Sequence, residues 1–121
     1  MNKFSAFGLN KLFSSASPKF QHISQSEAAL IMASGKEHVV LDVRTVSEFA
    51  EGHIPGAVNI PNQLIGSAPL SQLPDKNQLI LVHCLSGGRS RVAAGKLADM
   101  GYTNVKDFGG INTWNGEIVR S

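Results

Sequence analysis

A single cysteine, Cys84, serves the whole chain, which excludes an intramolecular disulfide framework and a CxxC redox pair. One thiol cannot build a thiolate metal cluster, and His22, His38, His53 and His83 lack metal-ligand spacing, so no metal or other cofactor is expected. No apolar run approaches the length of a membrane span. Charge of one sign is also scarce. The net +2 comes from Lys3, Lys11 and Lys19 in a stretch without an acid, and from Phe20 onward eight basic residues face nine acidic ones. A near-neutral body offers no basic patch for nucleic acid. At 121 residues with 42% hydrophobic content, the composition is that of one ordinary globular domain.

What is present concentrates in residues 79–91, Leu-Ile-Leu-Val-His-Cys-Leu-Ser-Gly-Gly-Arg-Ser-Arg. Four apolar residues open it, as in a strand buried on both faces. The lone cysteine, two glycines and an arginine follow, and a helical pattern runs over 92–100. A strand, a short glycine-bearing loop and a helix aim backbone N–H groups at whatever occupies the loop. A thiol placed there has a stabilised anion, and the thiolate is the nucleophile. A merely buried cysteine would not need Gly87, Gly88 and Arg89 directly behind it.

The rest of the chain alternates strands and helices. Residues 1–18 lack sustained periodicity and read as a flexible arm before a domain spanning 19–121, with a targeting role for the arm left open. Residues 20–23 alternate as a short edge strand, and Ser24 with Glu27 forms a capping-box pattern for a helix ending at Ser34-Gly35. Residues 38–43 predict a central strand, and 46–51 a short helix in which Arg44 and Glu48, one turn apart, can pair. His53-Ile54-Pro55-Gly56 reads as a turn before a strand at 57–60, and one helical turn is expected around 63–65. Residues 104–108 predict the last strand, Gly109-Gly110 a tight bend, and 111–119 a closing helix carrying Trp114. The pattern is that of an α/β domain with a mainly parallel sheet, whose ligands bind beyond the carboxyl ends of the strands.

Three segments together resemble the rhodanese (sulfurtransferase) family: Leu41-Asp42-Val43-Arg44 with Glu48-Phe49, the turn and strand from Gly52 to Ile60, and the Cys84 to Arg89 loop with Ser90. Gly109-Gly110-Ile111 with Trp114 is a weaker fourth. The overall form is similar to the single-domain rhodaneses of bacteria. The resemblance implies five parallel strands with helices on both faces and sulfur transfer in the cytoplasm, through a Cys84 persulfide. The donor would be a small molecule such as thiosulfate and the acceptor cyanide, a thiol or a protein. Leu85, Ser86, Gly87, Gly88, Arg89 and Ser90 would form the active-site loop, its N–H groups around the terminal sulfur.

Other roles divide. Arg89 would bind an anionic donor or hold the loop, and Gly87 and Gly88 would supply backbone freedom. Arg44 would face the pocket or pair with Glu48, and Asp42 would be a buried hydrogen-bonding anchor. His53 reads as scaffold, and His83 should point to the opposite face from Cys84. Two rival readings remain. One is a cysteine-dependent phosphatase or arsenate reductase, whose loop typically puts five residues between Cys and Arg where this chain has four. The other is a non-catalytic rhodanese-like binding module.

Overall fold

The computed structural model describes residues 19–120; the expected arm lies outside the described residues. The chain forms β1 (Gln21–His22), α1 (Gln25–Ala33), β2 (Val39–Asp42), α2 (Val46–Glu51), β3 (Val58–Asn59), β4 (Ile80–Cys84), α3 (Gly88–Asp99) and β5 (Val105–Gly110), with 3-10 turns at Asn62–Leu64 and Ile111–Thr113. All five strands are parallel, in the order β1-β5-β4-β2-β3. β4 is central and every residue in it is buried, which explains its unbroken apolar run.

Alternation along β4 divides the core. Ile80, Val82 and Cys84 face a cluster with Leu41, Val43 and the α3 residues Ala93, Ala94 and Leu97. Leu79 and Leu81 face the opposite cluster, with Val40, Phe108 and Ala28 of α1. Helices therefore cover both faces. On α3 the buried stripe is Ser90, Ala93, Ala94 and Leu97, the i, i+3, i+4, i+7 spacing of one helical face. Small residues there let the helix lie close to the sheet. A hydroxyl enters the core at the first position of that stripe.

Local chemistry sets the helix ends. Ser24 Oγ accepts from Glu27 N–H at 3.0 Å while Glu27 returns to Ser24 N–H, as its sequence pattern predicted. Thr45 and Glu48 form a second capping box at the start of α2, at 3.2 and 3.0 Å. The T-x-x-E pattern was there to be read.

Three elements differ from expectation. α3 begins at Gly88, not Val92, so Gly88, Arg89 and Ser90 are its first turn and the true loop is shorter. Gly109-Gly110 is no bend: the register slips between Val82↔Asp107 and Cys84↔Gly110, a β-bulge inside β5. Such bulges re-aim side chains. The closing helix over 111–119 does not form, and a single 3-10 turn stands in its place. Trp114 is extended, and its ring, 5.5 Å from that of Phe108, covers Gly116 closely enough to exclude a Cβ there. Val119 then exchanges two 2.8 Å backbone hydrogen bonds with His53, which a helix would have consumed.

Candidate active site

Cys84 closes β4 at the carboxyl edge of the sheet and is 1% exposed. Behind it the chain turns through Leu85, Ser86 and Gly87 into α3. Gly87 takes φ +110°, a left-handed conformation that L side chains rarely adopt, and this folds its N–H back to donate to Cys84 Sγ at 3.0 Å. Burial alone would push the thiol up. The polar groups of Ser90, Gly87 and Ser86 around the sulfur outweigh it and bring the thiol below its ordinary value. Gly88, by contrast, has no left-handed φ, and a Cβ there would meet nothing within 4 Å. The expected need for backbone freedom at Gly88 is therefore not met.

The loop is held from below by Gly110. A Cβ at that position would lie 2.5 Å from Ser86 Cα and 2.6 Å from Leu85 C, with the Leu85 oxygen closer still. Asn112 N–H also donates to the Leu85 carbonyl at 3.1 Å. The β5 bulge brings Gly110 opposite Cys84, so the end of one strand forms the floor under the turn that leaves its neighbour.

Arg89 turns sideways. Its Nη1 and Nη2 donate to Glu48 Oε1 and Oε2 at 2.8 and 3.1 Å, a bidentate pair joining the starts of α2 and α3. Arg89 holds Glu48 down to a pKa of about 2, with help from the Thr45 N–H. Of the two roles open for Arg89, this geometry serves holding the loop.

The expected Arg44–Glu48 pair is not formed. Arg44 is 5% exposed and bonds back on Asp42, Nε at 3.0 Å to Oδ1 and Nη2 at 2.7 Å to Oδ2, with Nη2 also reaching the Gly52 carbonyl at 2.7 Å. It neither meets Glu48 nor opens to a pocket, because the fully buried Asp42 carboxylate two residues earlier is the nearer partner and needs a cation. Asp42 is the anchor expected of it: it also accepts from Arg44 N–H at 3.0 Å.

The histidines stand apart from the thiol. His83 packs 5.3 Å from Phe108 in the opposite core, and burial keeps it below its ordinary pKa. His53 stacks on Phe49 at 3.7 Å and bonds its carbonyl, a scaffold contact. Among the described residues no group of three or more His, Cys, Asp and Glu side chains is placed to hold a metal ion, and no helix is long and apolar enough to cross a membrane.

One cluster was not anticipated. Ser90 Oγ, fully buried, lies 2.5 Å from Asp107 Oδ1, and the other Asp107 oxygen accepts from His22 Nδ1 at 2.8 Å. Asp107 stands in unbroken register opposite Val82, ahead of the bulge, and alternation from Val105 turns it to the face that α3 covers.

Comparison with known proteins agrees with this geometry. The rhodanese-like domain family signature matches residues 24–117. The chain belongs to the rhodanese-like domain family. Its relatives include the thiosulfate sulfurtransferase 16 of Arabidopsis thaliana, described as chloroplastic, 41% identical over 64% of this chain and 73% of that protein. The adenylyltransferase and sulfurtransferase UBA4 of Meyerozyma guilliermondii is also 41% identical, over 68% of this chain, but this rhodanese-like domain spans only 21% of that protein's length. Among solved structures, a rhodanese with anions from E. coli superposes with TM-score 0.64 at 32% identity, covering 69% of this chain and 99% of that one.

Proposed function

We propose that this rhodanese-like domain is a sulfurtransferase of the thiosulfate:cyanide class and that Cys84 is its sulfur-carrying nucleophile. The observations that carry the reading are the 3.0 Å bond from the Gly87 N–H to the buried Cys84 Sγ and the start of α3 immediately behind it. They stabilise a thiolate in the resting protein and developing charge on sulfur during attack. Leu85 completes the turn, Gly88 and Arg89 open α3 behind it, and Asp42, Arg44 and Glu48 are the supports. The relatives named sulfurtransferases agree with this assignment.

The reaction takes two displacements. The Cys84 thiolate attacks the outer sulfur of thiosulfate; the S–S bond breaks and sulfite leaves with the electron pair. The persulfide anion that remains then gives its terminal sulfur to cyanide or a thiol, and the electron pair returns to Cys84 Sγ. No general base is needed once the thiol is ionised. A sulfur atom this covered suits a donor presenting one protruding sulfur. The acceptor is a small thiol, cyanide or a protein nucleophile reaching the same mouth. The reading carries with it a cytoplasmic setting, in which a nucleophilic thiol stays reduced.

The phosphatase reading loses ground at Arg89. An oxyanion-binding arginine must present its guanidinium to the ligand, and both terminal nitrogens here are committed to Glu48. Initial-rate kinetics with thiosulfate and cyanide should give the parallel double-reciprocal lines of a ping-pong mechanism, with Cys84→Ser inactive and aryl phosphates left intact. Robust phosphatase activity, or turnover in Cys84→Ser, would overturn the assignment.

A further inference from the structure

Two arginines follow the carboxyl ends of neighbouring strands, Arg44 after β2 and Arg89 after β4, and a carboxylate holds each of them. Arg44 is buried, with Nη2 at 2.7 Å from both Asp42 Oδ2 and the Gly52 carbonyl. Arg89 commits Nη1 and Nη2 to Glu48. Farther along α3, Lys96 Nζ donates to the Asn62 carbonyl at 3.0 Å. Arg91 is exposed, but two residues turn a helix by about 200°. It therefore leaves the Glu48 side of α3 for the face on which Gly95, one turn on, meets Phe20 beside β1. What the turn behind Cys84 exposes is uncharged: Leu85 and Ser86, with Gly87 buried. Leu85 is 42% exposed while its carbonyl is held by the Asn112 N–H at 3.1 Å, so a fixed backbone presents an apolar side chain one residue from the sulfur. Val46, two residues before Glu48, and Val92, three after Arg89, are 67% and 54% exposed.

We propose that Leu85 is a specificity-determining residue, and that the site favours donors whose leaving group carries an apolar substituent where thiosulfate carries a further charged oxygen. The assignment rests on Cys84 being the sulfur-carrying nucleophile. The outer sulfur of any such donor is served by the Gly87 N–H and the start of α3. The rest of the donor lies over Leu85, with carbon to cover and neither guanidinium turned toward it. Thiosulfate still enters by its outer sulfur, but its sulfonate stays in water and contributes little to binding. An aryl thiosulfonate undergoes the same step. The Cys84 thiolate attacks the outer sulfur, the S–S bond breaks, and the arenesulfinate leaves with the electron pair. Its ring can cover Leu85 without altering that chemistry.

The test compares kcat/KM for thiosulfate, methanethiosulfonate and benzenethiosulfonate, with cyanide as acceptor, in the parent and in Leu85 variants. Ratios between donors within one variant, followed from variant to variant, cancel the intrinsic reactivity of each donor. Leu85→Lys should move the benzenethiosulfonate-to-thiosulfate ratio about tenfold toward thiosulfate. Leu85→Ala should lower the ratio of benzenethiosulfonate to methanethiosulfonate, which carry the same charge, about fivefold. Leu85→Met, of similar volume, should keep both ratios within about twofold of the parent. Donor ratios that stay within about twofold of the parent in Leu85→Lys or in Leu85→Ala overturn the proposal. So does a thiosulfate KM raised about tenfold in Arg91→Ala, which would place a working cation at the mouth. Intact mass tells the two failures apart. Persulfide formed from all three donors with unmoved ratios sinks this inference alone, whereas no persulfide from any donor sinks the sulfurtransferase reading and this inference with it.

Discussion

Gly110→Ala should damage the site from a position outside the Cys84 loop itself. The new Cβ would stand 2.5 Å from Ser86 Cα and 2.6 Å from Leu85 C, both backbone atoms of the loop. Carbon atoms pack best at about 3.5–4.0 Å, so floor and loop must part by roughly 1 Å. Gly110 is paired into β5 opposite Cys84 and cannot yield alone. The loop must therefore move, and the 3.0 Å bond from Gly87 N–H to Cys84 Sγ lengthens with it. Overpacking of this kind costs about 1–3 kcal/mol, a loss of roughly 10 °C in melting temperature for a domain this size. Losing one preorganised donor costs about 100-fold in turnover or more. Gly95→Ala is the control: on α3, its Cβ would meet Phe20 at an ordinary 3.9 Å, and it should stabilise by about 0.5–1 kcal/mol with activity unchanged. Thermal melts and thiosulfate:cyanide turnover of the two variants make the comparison. Gly110→Ala with full activity and an unshifted melt would refute the reasoning that this strand end shapes the loop.

Further expectations concern the supports. Glu48→Gln breaks the bidentate pair with Arg89 and weakens the α2 capping box; turnover should fall several-fold, while a variant as active as the parent would show that the pair does not hold the loop. The folded pKa of Glu48 is depressed from 4.5 to about 2, so its stabilisation is fully present above about pH 4.5 and lost as pH falls towards 2. Because that side chain is 27% exposed the amount is about 1 kcal/mol, and urea midpoints between pH 5 and pH 3 should fall less steeply in Glu48→Gln than in the parent. Tyr102→Phe deletes the 2.6 Å bond to the buried Leu73 carbonyl and should cost about 1–2 kcal/mol in denaturant unfolding, with turnover unaffected.

The sequence was most legible where a local rule acts alone. An apolar run, a lone cysteine and two glycines located the central strand and its loop, and Ser24 with Glu27 placed α1. Legibility failed where distant residues choose among partners. Arg44 and Glu48 are one turn apart, yet a buried carboxylate two residues back holds Arg44 and an arginine 41 positions away holds Glu48. Trp114 looked helical because its run is helical in spacing; burial of its ring against Phe108 and the bridge from Val119 to His53 won instead. The bulge in β5 has no signature beyond Gly109-Gly110, which reads equally as a bend. Ser90 and Asp107 are ordinary residues until α3 is laid on the sheet face that Asp107 shares with Val105, which brings them to 2.5 Å.

The measurement closest to the central claim is the intact mass of the protein after incubation with thiosulfate. A gain of one sulfur atom should appear, vanish on addition of cyanide or a thiol, and be absent in Cys84→Ser. No gain in the parent protein, or the same gain in Cys84→Ser, would contradict Cys84 as the residue that carries the sulfur.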